Sequence, residues 1–500
     1  MEIEKQTENM MRERSDSESL NSMVRRDFIY ASSVRNYMNN DPILDYYNSI
    51  KSTLKRDEMS QYMTDLCRKG VDYETKIYSS LSEYSKRHGL NYVDIEQYDY
   101  EHKYSMTMNA LRERADIIVQ PMLVSYSYPV YGVADIVIKR KYLYLIDHKK
   151  RLPRELSVSC SVHCRETDHG DDYCIVEIKR TVIQVDSEHN ILNTNFQAFE
   201  GQAHIYSIAL LDMLRILSIK YEGRCQSQYW PFAYIYVRGI NGYTGYNYCP
   251  YIEVDHSAVH SKVISAVAWL QIVRKYSSSI VPGVHVLPNP HNKYDHPYRS
   301  IKLQCAQSIG DIAYLPRSNI KVRYALNSRG IYSIYSTDCT PNLVIDTIQS
   351  IENTVLNSNV VYSIQQILHV NQGIAAAHIP RIYLPEGIVM YNTHKDFCFI
   401  IDGEYREKIP YRCPYSIVYY YYDSYNTLPR IPSIYTLVDL REVLEYNAVA
   451  VPGMINYDLY FLVTALYNSN LISSTLTGDK YHDSYVLYEI YQLFSSYTIY

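Results

Sequence analysis

The chain has 500 residues, 47% of them hydrophobic and 21% charged, with a net charge of −5 and an isoelectric point near 6.4. That length exceeds one ordinary core and implies two or three domains. The composition excludes a wholly disordered chain, and the acidic balance excludes a global basic field, so any nucleic-acid binding has to come from local patches.

Ten scattered cysteines form no Cys-x-x-Cys pair. No secretory signal opens the chain and no apolar run is long enough to span a bilayer. The expectation is an intracellular, non-membrane protein with reduced thiols. Tyrosine occurs 56 times against 8 Phe, as in AT-biased coding, so a single Tyr says little about function.

Residues 1–27 are polar and read as a disordered tail. The segment 28–66 looks helical, with a restart at Asp41-Pro42. Tyr73, Ile77, Leu81 and Tyr84 recur at helical spacing after Gly70, and Glu74 lies beside that stripe one turn in. Ile117–Leu123 and Tyr131–Ile138 read as two strands. Asp135 falls inside the second, where an Asp is disfavoured. The basic residues Lys139–Lys141 and Lys149–Arg154 suit either a phosphate backbone or a solvated loop. In the polar loop that follows, Cys160, His163, Cys164 and His169 match no closed zinc pattern.

Tyr173–Arg180 reads as a buried strand ending in Glu177-Ile178-Lys179, whose two charged side chains share one face. Burying both is costly unless something compensates. Phe196–Leu214 reads as a long helix with Gln202 and Tyr206 four apart on one face. A strand over 229–238, a helix over 259–275 and helical stretches over 301–314 and 323–335 follow. Residues 341–395 read as a linker region. The last block, 396–500, opens with an apolar run into Asp402-Gly403-Glu404, which places two carboxylates on one strand face. It continues with Asp439, a strand-like 449–454 and a helix over 457–467. Alternating strands and helices give an α/β class.

Glu74, Asp135, Glu177-x-Lys179 and Gln202-x-x-x-Tyr206 form a coherent chemical set. Asp135, Glu177 and the Ile178 carbonyl offer hard oxygen ligands to Mg2+ or Mn2+. Such an ion activates water, and Lys179 suits a developing phosphorane charge. The ordered motifs Gly70-x-x-x-Glu74, Gly132-x-x-Asp135, Glu177-x-Lys179 and Gln202-x-x-x-Tyr206 resemble the PD-(D/E)XK nuclease superfamily, in its RecB-like branch. The tripeptide Asp147-His148-Lys149 mimics the third motif but fits the order less well.

That resemblance implies a central mixed sheet flanked by helices over 28–250. It implies Asp135 and Glu177 on the metal with Glu74 assisting, and Lys179 as the catalytic lysine. Gln202, Tyr206 and Gln120 would support the site or the DNA. Arg35-Asn36, Asp41-Pro-Ile-Leu-Asp45, Ile191–Asn193, Trp269–Val273, Leu287–Asn289 and Asp295 with Lys302 are similar to RecB-like proteins of large DNA viruses. They mark 251–340 as a family-specific helical and loop extension. In such relatives a ribonuclease H-like domain often follows, and Asp402, Glu404 and Asp439 resemble part of its acidic set. The short interval between Glu404 and Asp439 marks that domain as truncated and degenerate. An iron–sulfur cluster is not expected, because it needs one cysteine before the nuclease core and three close together after it; Cys67 could be the first, but only the distant Cys225 and Cys249 follow the core.

The resemblance implies DNA cleavage at ends or single strands in viral replication, repair or recombination. A helicase or replication protein is the expected partner, in the host cytoplasm or a viral factory. The contrasting reading is a catalytically silent nucleic-acid-binding or scaffold protein, and a third puts exonuclease activity in the last domain.

Overall fold

The computed structural model describes residues 28–147, 172–186, 190–219, 230–241, 251–380, 382, 384–392, 397–410, 413–421, 434–477 and 479–496. The chain divides after Lys302 into two compact units. Each combines helices with a mixed sheet, so the α/β class is what the chain adopts. Among the described residues no helix is long and apolar enough to cross a membrane.

Unit 1 opens with β1 (Ile29–Tyr30), a 3-10 turn, α1 (Arg35–Met38) and α2 (Ile43–Ser49). Pro42, at φ −65°, leads into α2 as the sequence suggested. The next helix corrects the sequence reading. α3 (Gln61–His88) starts at Ser60, whose hydroxyl accepts from the Met63 N–H. Gly70 therefore lies inside the helix. Tyr62, Met63 and Leu66 on its early turns are exposed, and the helix runs on through 67–70 without the start expected after Gly70.

The unit continues through β2 (Tyr92–Asp94), α4 (Tyr100–Arg112), β3 (Ile117–Val119), β4 (Met122–Ser125), β5 (Val130–Val133), β6 (Ile136–Lys139), β7 (Tyr173–Gln184), α5 (Phe196–Ile216), β8 (Ala233–Asn241), β9 (Tyr251–Glu253) and α6 (His256–Tyr276). Six strands form one sheet in the order β2-β3-β6-β7-β8-β9. β3, β6 and β7 run antiparallel in turn, and α5 carries the chain over to β8, parallel to β7. The alternation of strand side chains loads both faces. Val137, Ile175 and Ile235 join the core with α5 and α6, while Ile136, Val176 and Tyr234 join the core with Ile77 and Leu81 of α3.

The segment 131–138 is not one strand. β5 belongs to a small sheet, β1-β5-β4, and β6 to the large one. Asp135 is therefore not an interior strand residue. It sits in the break, one residue before β6, where the chain changes sheets.

Signatures far apart in sequence meet in unit 1. The Lys302 ammonium, fully buried, lies 2.9 Å from Asp41 and 2.6 Å from Asp295 and donates to the Asn292 carbonyl at 2.7 Å. Asp45 accepts from Asn36 at 2.7 Å and from the Trp269 indole at 3.1 Å. α6, read from the sequence as part of the 251–340 extension, packs in the same core as α5.

α7 (Arg299–Ser308) carries the dividing point. Unit 2 then holds α8 (Ile320–Asn327), α9 (Pro341–Glu352), α10 (Ser358–Asn371), β10 (Ile388–Asn392), β11 (Phe397–Ile401), β12 (Glu404–Arg406), β13 (Ile417–Tyr420), β14 (Thr436–Asp439), α11 (Leu440–Tyr446), α12 (Leu459–Asn468) and α13 (Lys480–Ser496). The stretch read as a linker contains two helices and a strand. Pro341 at the first position of α9 and the Asn357 cap of α10 are its start signals. The expected strand over 449–454 reduces to one bridge between Ala450 and His378. The sheet order is β12-β11-β10-β13-β14, with β10, β11 and β12 antiparallel in turn and β13 and β14 parallel to β10.

Candidate active site

The β6–β7 register pairs Ile136 with Val176. Extending it by one residue sets Asp135 opposite Glu177, so two carboxylates face each other across neighbouring strands. Like charges so placed repel. Glu177 is 2% exposed and Asp135 9%, so water does little to screen them.

Three donors hold Asp135. Its Oδ2 accepts from the Ile178 N–H at 2.7 Å, and its Oδ1 accepts from the Tyr78 hydroxyl and the Gln120 amide, both at 3.3 Å. Gln120 also donates to the Tyr78 hydroxyl at 2.7 Å. Its N–H donates to the Asp135 carbonyl at 2.9 Å. Gln120 adopts φ +53°, a left-handed conformation that costs a non-glycine residue about 1 kcal/mol or more. Backbone strain is thus spent beside this carboxylate.

Lys179 donates to Glu177 Oε1 at 2.5 Å, and its ammonium sits 5.5 Å from the centre of the Phe199 ring on α5. Among the described residues, Glu177 Oε2 is buried and has no hydrogen-bond partner. Leaving such an acceptor unmatched costs about 1–3 kcal/mol. The regular β7–β8 pairing breaks between Lys179 and Val182. That irregularity ends the flat part of the strand next to the Glu-Lys pair.

The electrostatics follow from this geometry. Burial, then the charge of Asp135, pushes Glu177 up to about 8 against the opposing pull of Lys179. Burial likewise raises Asp135, more than Lys179 and the three donors lower it. For Lys179 burial acts downward, but Glu177 and Asp135 outweigh it and the ammonium is held above its ordinary value. Glu74, half-buried on α3, is raised to about 7 by burial and then by Asp135.

From α5, Gln202 donates to the Tyr206 hydroxyl at 2.9 Å, which donates to the Val133 carbonyl at 2.8 Å, two residues before Asp135. Gly132 is needed here, because an added Cβ would meet the Tyr206 ring at 2.7 Å. Gln202 and Tyr206 thus brace the strand end from below.

The structure brings Asp135, Glu177, Lys179, Gln120, Gln202 and Tyr206 to one end of the sheet. Glu74 is close enough for its charge to register, but among the described residues no three His, Cys, Asp or Glu side chains close into a ligand set. The Ile178 N–H donates to Asp135, and on a strand the carbonyl of the same residue faces the same side as its N–H. Magnesium is commonly held by only one or two carboxylates with water completing its shell. Two facing carboxylates with one unmatched buried oxygen fit that pattern. Sequence reasoning missed Tyr78. It lies one turn beyond Glu74 on α3, a spacing that shares a face, but its type carries no weight in a chain with 56 tyrosines.

The second acidic set does not assemble as the sequence suggested. Asp402, at φ +52°, and Gly403, at φ +79°, form the two-residue turn between β11 and β12. Both signs of that turn, Asp-Gly and two positive φ values, mark a type I′ hairpin. Asp402 accepts from Tyr415. Glu404 is exposed and paired with Arg406. Asp439 caps α11 by accepting from the Arg441 N–H at 2.9 Å. Each acid has a local structural partner, and Asp402 and Glu404 do not share a strand face.

Of the basic run, Lys139 is 8% exposed and paired with Asp116 at 2.9 Å, which removes it from contact with a phosphate. Residues 149–154 lie outside the described residues, as do Cys160, His163, Cys164 and His169. Asp147 ends a 3-10 helix, Arg140–Asp147, so its mimic of the strand motif has the wrong backbone.

Comparison with family models, with curated proteins and with solved structures finds no match to this chain.

Proposed function

We propose that unit 1 is a Mg2+- or Mn2+-dependent nuclease that hydrolyses DNA phosphodiester bonds. The observation that carries this reading is the buried Asp135–Glu177 pair with Lys179 beside it. Facing carboxylates of this kind cost folding energy, and a divalent cation offsets that cost. Asp135 and Glu177 would hold the ion, whose chemistry is to polarise the phosphodiester and acidify water. Lys179, held charged by its two carboxylate neighbours, supplies a fixed positive group for charge developing on the phosphoryl oxygens. Tyr78 and Gln120 keep Asp135 oriented, and Gln202 and Tyr206 fix the strand end that carries it.

For unit 2 we infer a ribonuclease H-like sheet that serves binding and not hydrolysis. Its three antiparallel strands followed by two parallel ones support the sheet. The structural employment of Asp402, Glu404 and Asp439 argues against a two-metal centre, which needs several free carboxylates.

Labelled single- and double-stranded DNA incubated with the full chain in Mg2+ or Mn2+ tests both. Cleavage by the wild type, reduced at least about 100-fold in Lys179→Ala and unchanged in Asp402→Ala, is the expected result. An inactive wild type, or equal cleavage by Lys179→Ala, overturns the assignment of unit 1.

A further inference from the structure

Unit 1 has a polar cleft, of about 600 Å3, between the 3-10 turn after β1, α1, α2 and α6. Four cations line it: Arg35, Lys51, Arg56 and Arg274. That concentration stands out in a chain whose net charge is −5. Among the described residues the single carboxylate on its wall does not cancel them. Asp45 is 4% exposed, its two oxygens are turned to Asn36 and the Trp269 indole, and burial raises it to about 7.

Two of the cations are fixed in place. Arg274 donates to the Phe28 carbonyl at 2.8 Å, and the Arg35 guanidinium lies 5.8 Å from the centre of the Tyr294 ring. Guanidinium groups held this way are suited to paired hydrogen bonds with phosphate oxygens. The cleft therefore combines excess positive charge, oriented arginines and hydroxyl and amide donors, with its one acid withdrawn.

We propose that this cleft is a phosphate-binding site that seats a phosphate of the nucleic-acid strand. The assignment rests on the nuclease reading for the nature of the ligand. The same chemistry accommodates a terminal phosphate or an internal phosphodiester, and the experiment separates them. It also gives a role to Arg35, which the catalytic chemistry leaves unused.

The test is fluorescence anisotropy with the full chain in EDTA, where no cleavage occurs. Three single-stranded DNAs of one sequence are used: 5′-phosphorylated, 3′-phosphorylated and without terminal phosphate. Arg35→Gln/Arg274→Gln is compared with wild type. Lys51→Gln/Arg56→Gln, which alters only exposed side chains, guards against a folding defect in the first variant.

Both variants are expected to bind at least about ten-fold more weakly. Their dependence of log affinity on log salt should flatten by about 1.4, the share of two phosphate contacts on a single strand. A wild-type preference for one phosphorylated end that disappears in the variants assigns a terminal phosphate. Equal weakening on all three DNAs assigns internal phosphodiesters. Unchanged affinity and salt slope in both variants overturn the proposal. Because the readout is binding without metal, a failure of cleavage by the wild type would leave it intact and would be seen separately.

Discussion

Replacing Glu177 by Gln should make the metal-free protein more stable at high pH. Glu177 is 2% exposed and is raised to about 8, with burial as the first cause and Asp135 as the second. In the unfolded chain it ionises near 4.5. A carboxyl whose folded value is raised imposes a penalty that is absent below the unfolded value, grows as pH rises and levels off above the folded value. At about 1.4 kcal/mol per unit, this amounts to about 1 kcal/mol at pH 5 and about 4 kcal/mol at pH 8. Gln escapes it. Its amide nitrogen would take the position of the unmatched Oε2 at a cost of about 1–3 kcal/mol that does not vary with pH. The difference between variant and wild type should therefore move by about 3 kcal/mol in favour of Gln between pH 5 and pH 8.

Urea unfolding in EDTA, followed by tryptophan fluorescence, measures it cleanly. Both tryptophans, Trp230 and Trp269, belong to unit 1, so unit 2 does not contribute to the signal. A second arm adds Mn2+. At one hundred times its dissociation constant, an ion bound only by the folded state stabilises by about 2.7 kcal/mol, and this gain should appear in the wild type and vanish in Glu177→Gln. A pH-independent difference would refute the electrostatic account of the pair. Equal stabilisation of both proteins by Mn2+ would refute the placement of the ion.

Three further outcomes are expected. Lys302→Met strands Asp41 and Asp295 in a fully buried setting and should cost about 3–5 kcal/mol in the same tryptophan-detected unfolding; a loss under 1 kcal/mol would show that the carboxylates simply protonate. Asp402→Asn keeps a residue suited to the positive φ of the hairpin, so circular dichroism and DNA cleavage should both match the wild type, and loss of cleavage would restore unit 2 as a catalytic candidate. His204 is held near 2 and His256 near 4, each chiefly by burial, so both stay neutral in the fold while the unfolded chain takes up protons below about 6.5. That contribution is complete above pH 6.5 and is lost as pH falls, by about 1.4 kcal/mol per unit for each. His204→Phe should accordingly lose less stability than wild type between pH 6.5 and pH 5, and parallel pH curves would count against buried neutral imidazoles.

Most of the candidate site was legible because its spacing is short and periodic. Glu177 and Lys179 share a face on any strand, and Gln202 and Tyr206 share one on any helix. What those rules could not supply was register. Only the pairing of Ile136 with Val176 shows that Asp135 faces Glu177 and not a neighbour. The errors have equally local causes. Asp402-Gly403 reads as strand from the continuous apolar run before it, although Asp-Gly between two strands is a hairpin signal. Gly70 reads as the residue before a helix because glycine favours helix ends, whereas α3 runs through it from its Ser60 cap. α9 and α10 were missed although Pro341 and Asn357 mark their starts.

Opposing requirements meet at the end of β7. A hydrophobic strand between two helices favours apolar residues at every position, and Cys174, Ile175, Val176 and Ile178 comply with full burial. Glu177 breaks the run with a buried charge, and its opposite neighbour is another acid. Lys179 relieves only part of this, since both carboxylates remain raised with the ammonium in place. A strand selected for stability alone would carry an apolar residue at 177 and release the unmatched Oε2. The cost is accompanied by strain at Gln120, by three donors aimed at Asp135 and by a glycine at 132 that admits the Tyr206 ring. The buried Glu177, the strained Gln120 and the glycine at 132 gather at one sheet end, and they set the terms of the proposal: a cation that satisfies Asp135 and Glu177 together should offset part of the folding energy that the facing carboxylates cost.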